Sequence, residues 1–242
     1  MKLSVCVPVY NEVAIVADTA KQLTDYLEAH FAEDYELIFA DDGSTDGSAD
    51  CIRSLGLPCV RVIGYSENRG KGCAVRTAML AAKGDIVLFT DADLAYGTDV
   101  IGKAVDRFAE DAETAVLLGS RNLEKDGYEG YTFSRRVASK IYIRMLCTLG
   151  GLKVTDSQCG FKAFRNDAAK QIFSKCVVDG FAFDFEVILR AQKLGLKLTE
   201  MPVRVLNHRN SKIHLVQDAF GMYRDVIGIR RRIEKEYKTE KK

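Results

Sequence analysis

The sequence predicts an α/β protein with a mostly parallel, doubly wound, Rossmann-like sheet and helices on both faces. Short apolar runs typical of buried strands alternate with stretches of helical periodicity through the first 120 residues. These runs end in polar or glycine-rich turns, where the next helix can begin. With 242 residues, 47% of them hydrophobic and 29% charged, the chain can bury a sizeable core as one domain.

Each element follows from the local pattern. The clearest strand is LSVCVPV at residues 3–9, and the helix after it has apolar residues at helical spacing. Further strands are predicted at 35–41, 59–65, 85–91 and 114–120. Helices are predicted at 12–31, 71–83 and 99–110, with a short helix opening near residue 46.

The alternation stops after residue 120. A polar loop at 121–131 leads to a basic amphipathic helix at about 132–149. Two more helices are expected to flank the FAFDFE segment at 181–186, followed by a late strand at 197–206. The stretch from about residue 213 onwards, including a charged tail, has helical periodicity.

Composition and charge exclude several classes of protein. The net charge is +1, from 35 basic and 34 acidic residues, so no overall field favours nucleic acid as a partner. The seven cysteines form no CxxC pair, which is typical of a reducing cytoplasm rather than of disulfides or a zinc site. No run of about 18 apolar residues predicts a membrane-spanning helix, and the first apolar run is too short for a signal peptide.

Polar residues follow three of the predicted parallel strands: PVYNE, DDGSTDGS and TDAD. The carboxyl ends of parallel strands meet at one edge of the sheet, where ligands bind, so we expect these segments to converge. Asp91 and Asp93 can both reach one hard cation, Mg²⁺ or Mn²⁺, which would neutralise a diphosphate leaving group. The alternative is that one aspartate caps the next segment while the other is solvated.

Other residues near this edge suit a nucleotide. The Tyr10 ring can stack on a base, and Asp41 or Asp42 can accept an N–H group of uracil or guanine. The DDGS segment is equally good turn chemistry, so both interpretations stay open. Lys71, with Arg69 in the glycine-rich ENRGKG segment, can approach phosphates at the start of a helix.

The second half of the chain contains candidate anion-binding and acid–base residues. Arginine suits bidentate phosphate contacts, and the candidates, which could also be solvated surface charges, are Arg121, Arg135, Arg136 and Lys212. Asp184 and Glu186 lie among aromatic residues, where they can be acid–base groups or an N-cap. The three histidines have no ligand spacing, so zinc is not expected.

Taken together and in order, SVCVPVYNE, DDGSTDGS, NRGKG, DAD, GSRN, DSQCGFKAF, FDFE and SK resemble family 2 glycosyltransferases. The resemblance runs from about residue 3 to residue 212 and is closest to the polyprenyl-phosphate sugar transferases, the branch of the dolichyl-phosphate glucosyltransferases and mannose synthases. It implies a GT-A fold, a nucleotide-sugar donor, a divalent cation and inversion at the anomeric carbon.

The resemblance also assigns roles to individual residues. It implies base and ribose contacts from Pro8, Tyr10, Glu12 and Asp42 and a metal pair of Asp91 and Asp93. With Lys71 and the neighbouring residues Val9 and Ala92, these form the expected donor site. It implies phosphate contacts from Arg121, Ser211 and Lys212, and the anion-binding candidates Arg135 and Arg136 complete the expected acceptor-phosphate site. Asp93, Arg121 and Asp184 are the expected catalytic residues.

Two departures from the mannose branch favour UDP-glucose as the donor. Ala95 stands where that branch has Gln or another polar residue, and Leu206 stands where it has Arg, whereas Leu94 fits the mannose pattern better. GDP-mannose therefore stays the alternative donor. A polyprenyl phosphate is already an anion at neutral pH and can attack the sugar without a general base. Transfer to a sugar hydroxyl, the alternative reaction, would need Asp184 or Glu186 as the base.

Because the implied acceptor is lipid-linked, we expect the protein to act at a membrane surface, as a peripheral protein on the cytoplasmic side. Two basic amphipathic stretches can supply contact: residues 134–152, with Ile141, Ile143, Met145, Leu146 and Leu149, and residues 224–242, with a net charge of +4. One alternative is that both stretches pack on the core and expose solvated charges, and another is that a membrane-embedded partner recruits the chain. A homo-oligomer is also possible.

We expect a catalytic domain at 1–212, with a nucleotide-sugar half at 1–120 and an acceptor half at 121–212, followed by a basic helix and tail at 213–242. Two other classes of protein fit the pattern less well. A sugar-1-phosphate nucleotidyltransferase would need a glycine-rich loop after the first strand, and PVYNE has none. A non-catalytic nucleotide-sugar sensor would not need both Asp91 and Asp93.

Overall fold

The computed structural model describes residues 2–32, 34–207 and 215–240, with side chains described except at 134, 135, 215–223 and 240. The strands are β1 (Leu3–Val9), β2 (Tyr35–Asp42), β3 (Val60–Tyr65), β4 (Ile86–Phe89), β5 (Val116–Ser120), β6 (Lys162–Arg165) and β7 (Leu198–Pro202). The helices are α1 (Val13–Phe31), α2 (Ser48–Ser54), α3 (Lys71–Ala81), α4 (Asp99–Glu110), α5 (Phe133–Gly150), α6 (Asn166–Phe173), α7 (Phe183–Lys193) and α8 (Leu215–Glu240).

These strands form one sheet in the order β3-β2-β1-β4-β6-β5-β7. All pairings are parallel except those of β6, which runs antiparallel to both β4 and β5. The other six strands therefore end at the same edge of the sheet, and β6 begins there. The mostly parallel α/β fold is confirmed.

Helices cover both faces of the sheet, as predicted. Along β4 the side chains alternate, with Ile86 and Leu88 in one core and Val87 and Phe89 in the other. The first core lies under α1 and α4, and the second lies under α3, α5, α6, α7 and α8. Burial on both faces explains why the central strands are almost continuously apolar.

Two features after residue 120 differ from the prediction. The KAFR segment forms β6, which the sequence pattern did not indicate, because a four-residue strand containing a lysine and an arginine has no clear strand pattern. The second of the two expected helices, α7, begins within the FAFDFE segment rather than after it. Its start at Phe183 makes Ala182 the N-cap, so the interpretation of Asp184 or Glu186 as a cap is wrong.

The apolar residues proposed for membrane contact mostly belong to the core. In α5, Ile143 and Leu146 are buried, and Met145 and Leu149 pack against the same cluster. Among residues 224–239 of α8, the buried side chains are Val226, Ile229 and Ile233. The core-packing alternative is therefore correct for these residues, and of the five named in α5 only Ile141 is exposed. None of the helices within the described ranges has the length and apolar character needed to cross a membrane.

Candidate active site

A tight turn after β4 carries the two aspartates. The Leu94 amide donates to the Asp91 carbonyl at 3.1 Å, and Leu94 has a φ of +47°, in the left-handed region that few non-glycine residues adopt. The Thr19 hydroxyl donates to the Ala92 carbonyl at 2.6 Å, which ties the turn to α1. The Ala95 amide donates to Asp93 Oδ1 at 3.1 Å. These contacts hold both carboxylates at the edge of the sheet where the parallel strands end.

Asp91 lies in a narrow slot. Its Oδ1 accepts from Lys71 Nζ at 2.6 Å, and Lys71 is the first residue of α3. Burial lowers the pKa of Lys71, but the charges of Asp91, Asp184 and Asp93 and the hydrogen bond to Asp91 together outweigh burial, so the pKa is raised and the ammonium stays charged. On the other side, a Cβ atom at Gly160 would lie 2.1 Å from Asp91 Oδ2. Only glycine leaves room for the carboxylate.

The donor set of this turn suits a cation that is shared with a substrate. Among the described residues, no three or more His, Cys, Asp or Glu side chains come together as a complete metal site. Asp91 and Asp93 provide two carboxylates, which is how Mg²⁺ is commonly bound when substrate phosphates complete its coordination. The residues present therefore fit Mg²⁺ or Mn²⁺ bound together with a diphosphate.

A buried ion pair lies beside the aspartate turn. Lys162, at the start of β6, is completely buried and donates to Asp184 Oδ1 at 2.5 Å and to the Cys159 carbonyl at 2.7 Å. Burial raises the pKa of Asp184, and the nearby charges of Lys162 and Lys71 oppose this only in part. Sequence reasoning missed Lys162. The available signal was a lysine among apolar residues in the GFKAF segment, since a buried lysine needs a partner.

Glu186 has a different role from Asp184. Its carboxylate accepts from the Val177 and Val178 amides at 2.9 and 2.8 Å. It also accepts from Arg190 at 3.0 Å and from Arg232 of α8 at 2.9 Å. These four donors surround the completely buried Glu186 side chain, which therefore joins the α6–α7 loop to α8. Of the two acidic residues in this segment, Asp184 is the one that lies near the charges of the site.

Asp42 is occupied by the loop that follows β3. Its carboxylate accepts from the Tyr65 hydroxyl at 2.6 Å, the Asn68 side-chain amide at 2.9 Å, and the backbone amides of Arg69 and Gly70, both at 2.9 Å. This leaves little capacity for a base. Asp42 instead fixes the loop that leads into Lys71.

At the ends of β1 and β2, Tyr10 is exposed, whereas Val9 and Asp41 are buried. The Tyr10 side chain is 42% exposed. Val9 and Asp41 are partners in the parallel register, and the Asp41 carboxylate accepts only weakly from the Ser44 amide, at 3.3 Å. Pro8 precedes Val9 in the strand, and the Glu12 amide donates to the Ser48 hydroxyl at 2.9 Å. Of the two adjacent aspartates, Asp41 has the more available carboxylate.

Three cations surround the ring of Tyr128, a residue that sequence reasoning did not single out. The cationic groups of Arg121, Arg136 and Lys140 lie 5.3, 6.0 and 5.5 Å from the ring centroid, within the range of cation–π contacts. We call these four residues the Tyr128 cluster. The ring is buried, and its hydroxyl donates to Asn122 at 3.0 Å. The cluster brings together cations from β5's end and from α5.

Arg121 is anchored within this cluster by Asp156. Its Nε and Nη2 atoms donate to the two Asp156 oxygens at 2.7 and 2.9 Å, and both side chains are nearly or completely buried. Arg135 is also part of α5, but its side chain is outside the described set. Ser211 and Lys212 lie outside the described residues.

The fold and the edge of acidic and basic residues fit a nucleotide-dependent transferase, and sequence comparison places the chain among the glycosyltransferases. The model of "Glycosyl transferase family 2" matches residues 4–173, so the chain belongs to this family. The match does not support a nucleotidyltransferase or a non-catalytic sensor.

More particularly, the chain is similar to dolichyl-phosphate β-glucosyltransferases. It is 32% identical to the Drosophila melanogaster enzyme, over 95% of this chain and 74% of the relative, and 32% identical to the Homo sapiens enzyme, over 96% and 75%. It is 30% identical to glycosyltransferase AglD of Haloferax volcanii, over 94% of this chain and 36% of that protein.

Solved structures share the fold. Glucosyl-3-phosphoglycerate synthase from Mycobacterium tuberculosis, in complex with Mn²⁺, UDP and phosphoglyceric acid, has a TM-score of 0.71 at 22% identity, covering 94% of this chain and 76% of that one. A complex of the same synthase with Mg²⁺ and UDP has a TM-score of 0.69 at 21% identity, covering 94% and 77%. The expected GT-A-like fold is thus confirmed.

Proposed function

We propose that this glycosyltransferase moves glucose from UDP-glucose to the phosphate of a polyprenyl phosphate, with inversion at the anomeric carbon. The observation that supports this most is the arrangement of the sheet edge. A carboxylate turn suited to a metal–diphosphate lies after β4, and the Tyr128 cluster, suited to a second phosphate, lies after the parallel strand β5. Two anion sites at one edge match a donor diphosphate and an acceptor phosphate.

The two sites assign the donor and the acceptor to different halves of the chain. Residues 1–120 form the donor half, residues 121–212 form the acceptor half, and residues 213–242 form the C-terminal extension. In the donor half, Tyr10 stacks on the base, while Pro8, Val9, Glu12 and Ala92 line the nucleotide. We assign base recognition to Asp41, whose carboxylate is available, and assign Asp42 to holding the loop before Lys71.

Asp91 and Asp93 would hold the divalent cation. When bound, this cation neutralises the charge that develops on the UDP leaving group. Lys71 adds a fixed positive charge beside Asp91 and the diphosphate. The slot at Gly160 keeps the Asp91 carboxylate in one position, which matters because the electrostatic stabilisation of a leaving group depends on preorganised charges.

The acceptor phosphate would bind at the Tyr128 cluster, through Arg121, Arg136 and Lys140, with Arg135, Ser211 and Lys212 as further proposed contacts. Arg121 is preorganised, because Asp156 holds its guanidinium from one side. The phosphate oxygen is the nucleophile, so positioning and charge stabilisation suffice and no side chain needs to accept a proton. Asp184, held by Lys162, then acts as a positioning residue that orients Lys71.

One observation favours a second candidate, transfer to a sugar hydroxyl. Burial raises the pKa of Asp184, which makes this carboxylate a better proton acceptor than an exposed aspartate. In that reaction Asp184 would take the proton of the attacking hydroxyl. The pairing of Asp184 Oδ1 with Lys162 makes this the less favoured proposal.

The proposal is tested by offering labelled donors one at a time with a polyprenyl phosphate in Mg²⁺ or Mn²⁺ and extracting the lipid. We expect labelled lipid from UDP-glucose, little from GDP-mannose, and none after EDTA treatment. Calorimetric titration with the two donors checks the binding step separately. Preferential use and tighter binding of GDP-mannose would overturn the donor assignment, and labelled lipid formed in EDTA would overturn the metal assignment.

A further inference from the structure

One face of α5 exposes a line of large apolar side chains. Phe133, Val137 and Ile141 are 84%, 39% and 64% exposed, and they are spaced four residues apart. Residues at this spacing lie on the same side of a helix and here extend for about 12 Å along it. We call these three residues the α5 stripe. It is separate from the buried face of α5, which contains Ile143 and Leu146.

The α5 stripe borders the cations of the same helix. Arg136 and Lys140, two members of the Tyr128 cluster, each lie one residue before a member of the stripe, and the exposed Arg144 lies one turn further along. The segment FSRRVASKIYIRMLCTLG contains four basic residues and no acidic residue. Around the helix, Lys140 lies between the core face and the α5 stripe, and Arg144 lies within the stripe itself, so cations border the exposed apolar side chains directly.

We propose that the α5 stripe is a membrane-docking surface that inserts into the headgroup region of an anionic bilayer. This inference rests on the proposed function, because it explains how the Tyr128 cluster reaches an acceptor phosphate at the bilayer surface. Phe133 and Ile141 enter the boundary between headgroups and acyl chains, and Lys140 and Arg144 remain at the level of the lipid phosphates.

Charge complementarity selects a bilayer rather than another protein copy. Two α5 helices packed through their stripes would bring rows of arginine and lysine together with no acidic residue on either helix to pair with them. An anionic lipid surface offers phosphates to these cations and an apolar layer to the stripe. The docked orientation places the Tyr128 cluster beside the layer in which a prenyl phosphate would be found.

The test uses the whole chain and vesicles without polyprenyl phosphate. The double variant Phe133→Ser and Ile141→Ser removes most of the apolar area of the stripe and changes no charge. The matched control is Leu55→Ser, which removes an apolar side chain of 38% exposure at the end of α2. Co-sedimentation is measured with phosphatidylglycerol-containing and pure phosphatidylcholine vesicles at low and high salt, and thermal melting confirms that each variant is folded.

We expect the unaltered chain and the control to bind anionic vesicles at low salt and to bind them more weakly at high salt. The affinity of the double variant for anionic vesicles should be lower by a factor of about ten or more. Equal vesicle binding by all three proteins would overturn the proposal. A stripe-dependent dimer in solution, without vesicle binding, would also overturn it, in favour of a second copy.

Transfer assays distinguish this proposal from the proposed function. The double variant should keep its activity on a soluble ten-carbon prenyl phosphate and lose activity on a long-chain acceptor in vesicles. Equal activity of variant and control on the vesicle acceptor would count against docking while leaving the proposed function intact. If no prenyl phosphate is glycosylated by any of the proteins, the proposed function fails, and the vesicle measurements still decide whether the stripe binds membranes.

Discussion

The single change Gly160→Ala directly disturbs the carboxylate at the proposed metal site. The added Cβ would lie 2.1 Å from Asp91 Oδ2 and 2.7 Å from its Cγ, whereas real Cβ contacts essentially never fall below 3.0 Å. The carboxylate must therefore move by about 1 Å, and Lys71, at 2.6 Å on its other side, must move with it. A displacement of about 1 Å in a catalytic arrangement costs about 100-fold in rate.

The assay is the initial rate of transfer at increasing Mg²⁺ or Mn²⁺, with UDP-glucose and a polyprenyl phosphate. We expect kcat to fall about 100-fold, with a higher metal concentration needed for half-maximal activity. Gly180→Ala is the matched control, because a Cβ there meets nothing within 4 Å. A Gly160→Ala protein that melts like the unaltered chain and retains its activity within about twofold would refute the placement of Asp91 in the reaction.

Three further changes test other parts of the site. Asp93→Asn should lower transfer about 100-fold or more without changing the melting temperature, and substantial EDTA-resistant activity in this variant would contradict its role. Lys162→Met leaves Asp184 buried without its partner and should cost roughly 3–5 kcal/mol in urea unfolding, so a loss below about 1 kcal/mol would argue against a buried ion pair. Burial raises the pKa of Asp156, but the charge and hydrogen bonds of Arg121 outweigh burial, so the pKa of Asp156 is lower in the folded protein than in the unfolded chain. The stabilisation from this ion pair should therefore be present above about pH 4 and be lost as the pH falls through the folded pKa. The stability difference between the unaltered chain and Asp156→Asn should then shrink from pH 5 to pH 3 in urea titrations, and a constant difference would contradict this.

The sequence was sufficient to predict most of the fold. Strand β1 and helix α4 have the predicted bounds, and β2 and β5 lie within two residues of theirs, since buried parallel strands are short apolar runs. Strand β6 was missed because its pairing depends on β4 and β5, which are far away in the chain, and because Lys162 and Arg165 hide its pattern. Local periodicity carries no information about such long-range pairing.

The candidate site was predicted only where it follows strand ends. The rule that parallel strands end together placed Asp91 and Asp93 at one edge of the sheet with the polar segments that follow β1 and β2. It did not indicate Lys162, because an antiparallel strand brings its first residue to that edge, nor Tyr128, which lies in an irregular loop.

Helix α5 shows a second limit of sequence reasoning. Its periodicity indicated an amphipathic helix, but Ile143 and Leu146 are core residues while Phe133 and Ile141 are exposed. A helix with two apolar faces gives no local signal of which face packs on the core. That choice is made by tertiary contacts with α8.

The central claim is that a lipid phosphate oxygen attacks the sugar of UDP-glucose. It is tested most directly by offering labelled UDP-glucose and Mg²⁺ with three acceptors in parallel: a polyprenyl phosphate, the same polyprenol without its phosphate, and a soluble glucoside. The account predicts labelled product only with the phosphate, because only this acceptor is an anion at neutral pH and can bind the Tyr128 cluster. Transfer to the polyprenol or the glucoside at a comparable rate would contradict it and would favour a hydroxyl nucleophile with Asp184 as its base.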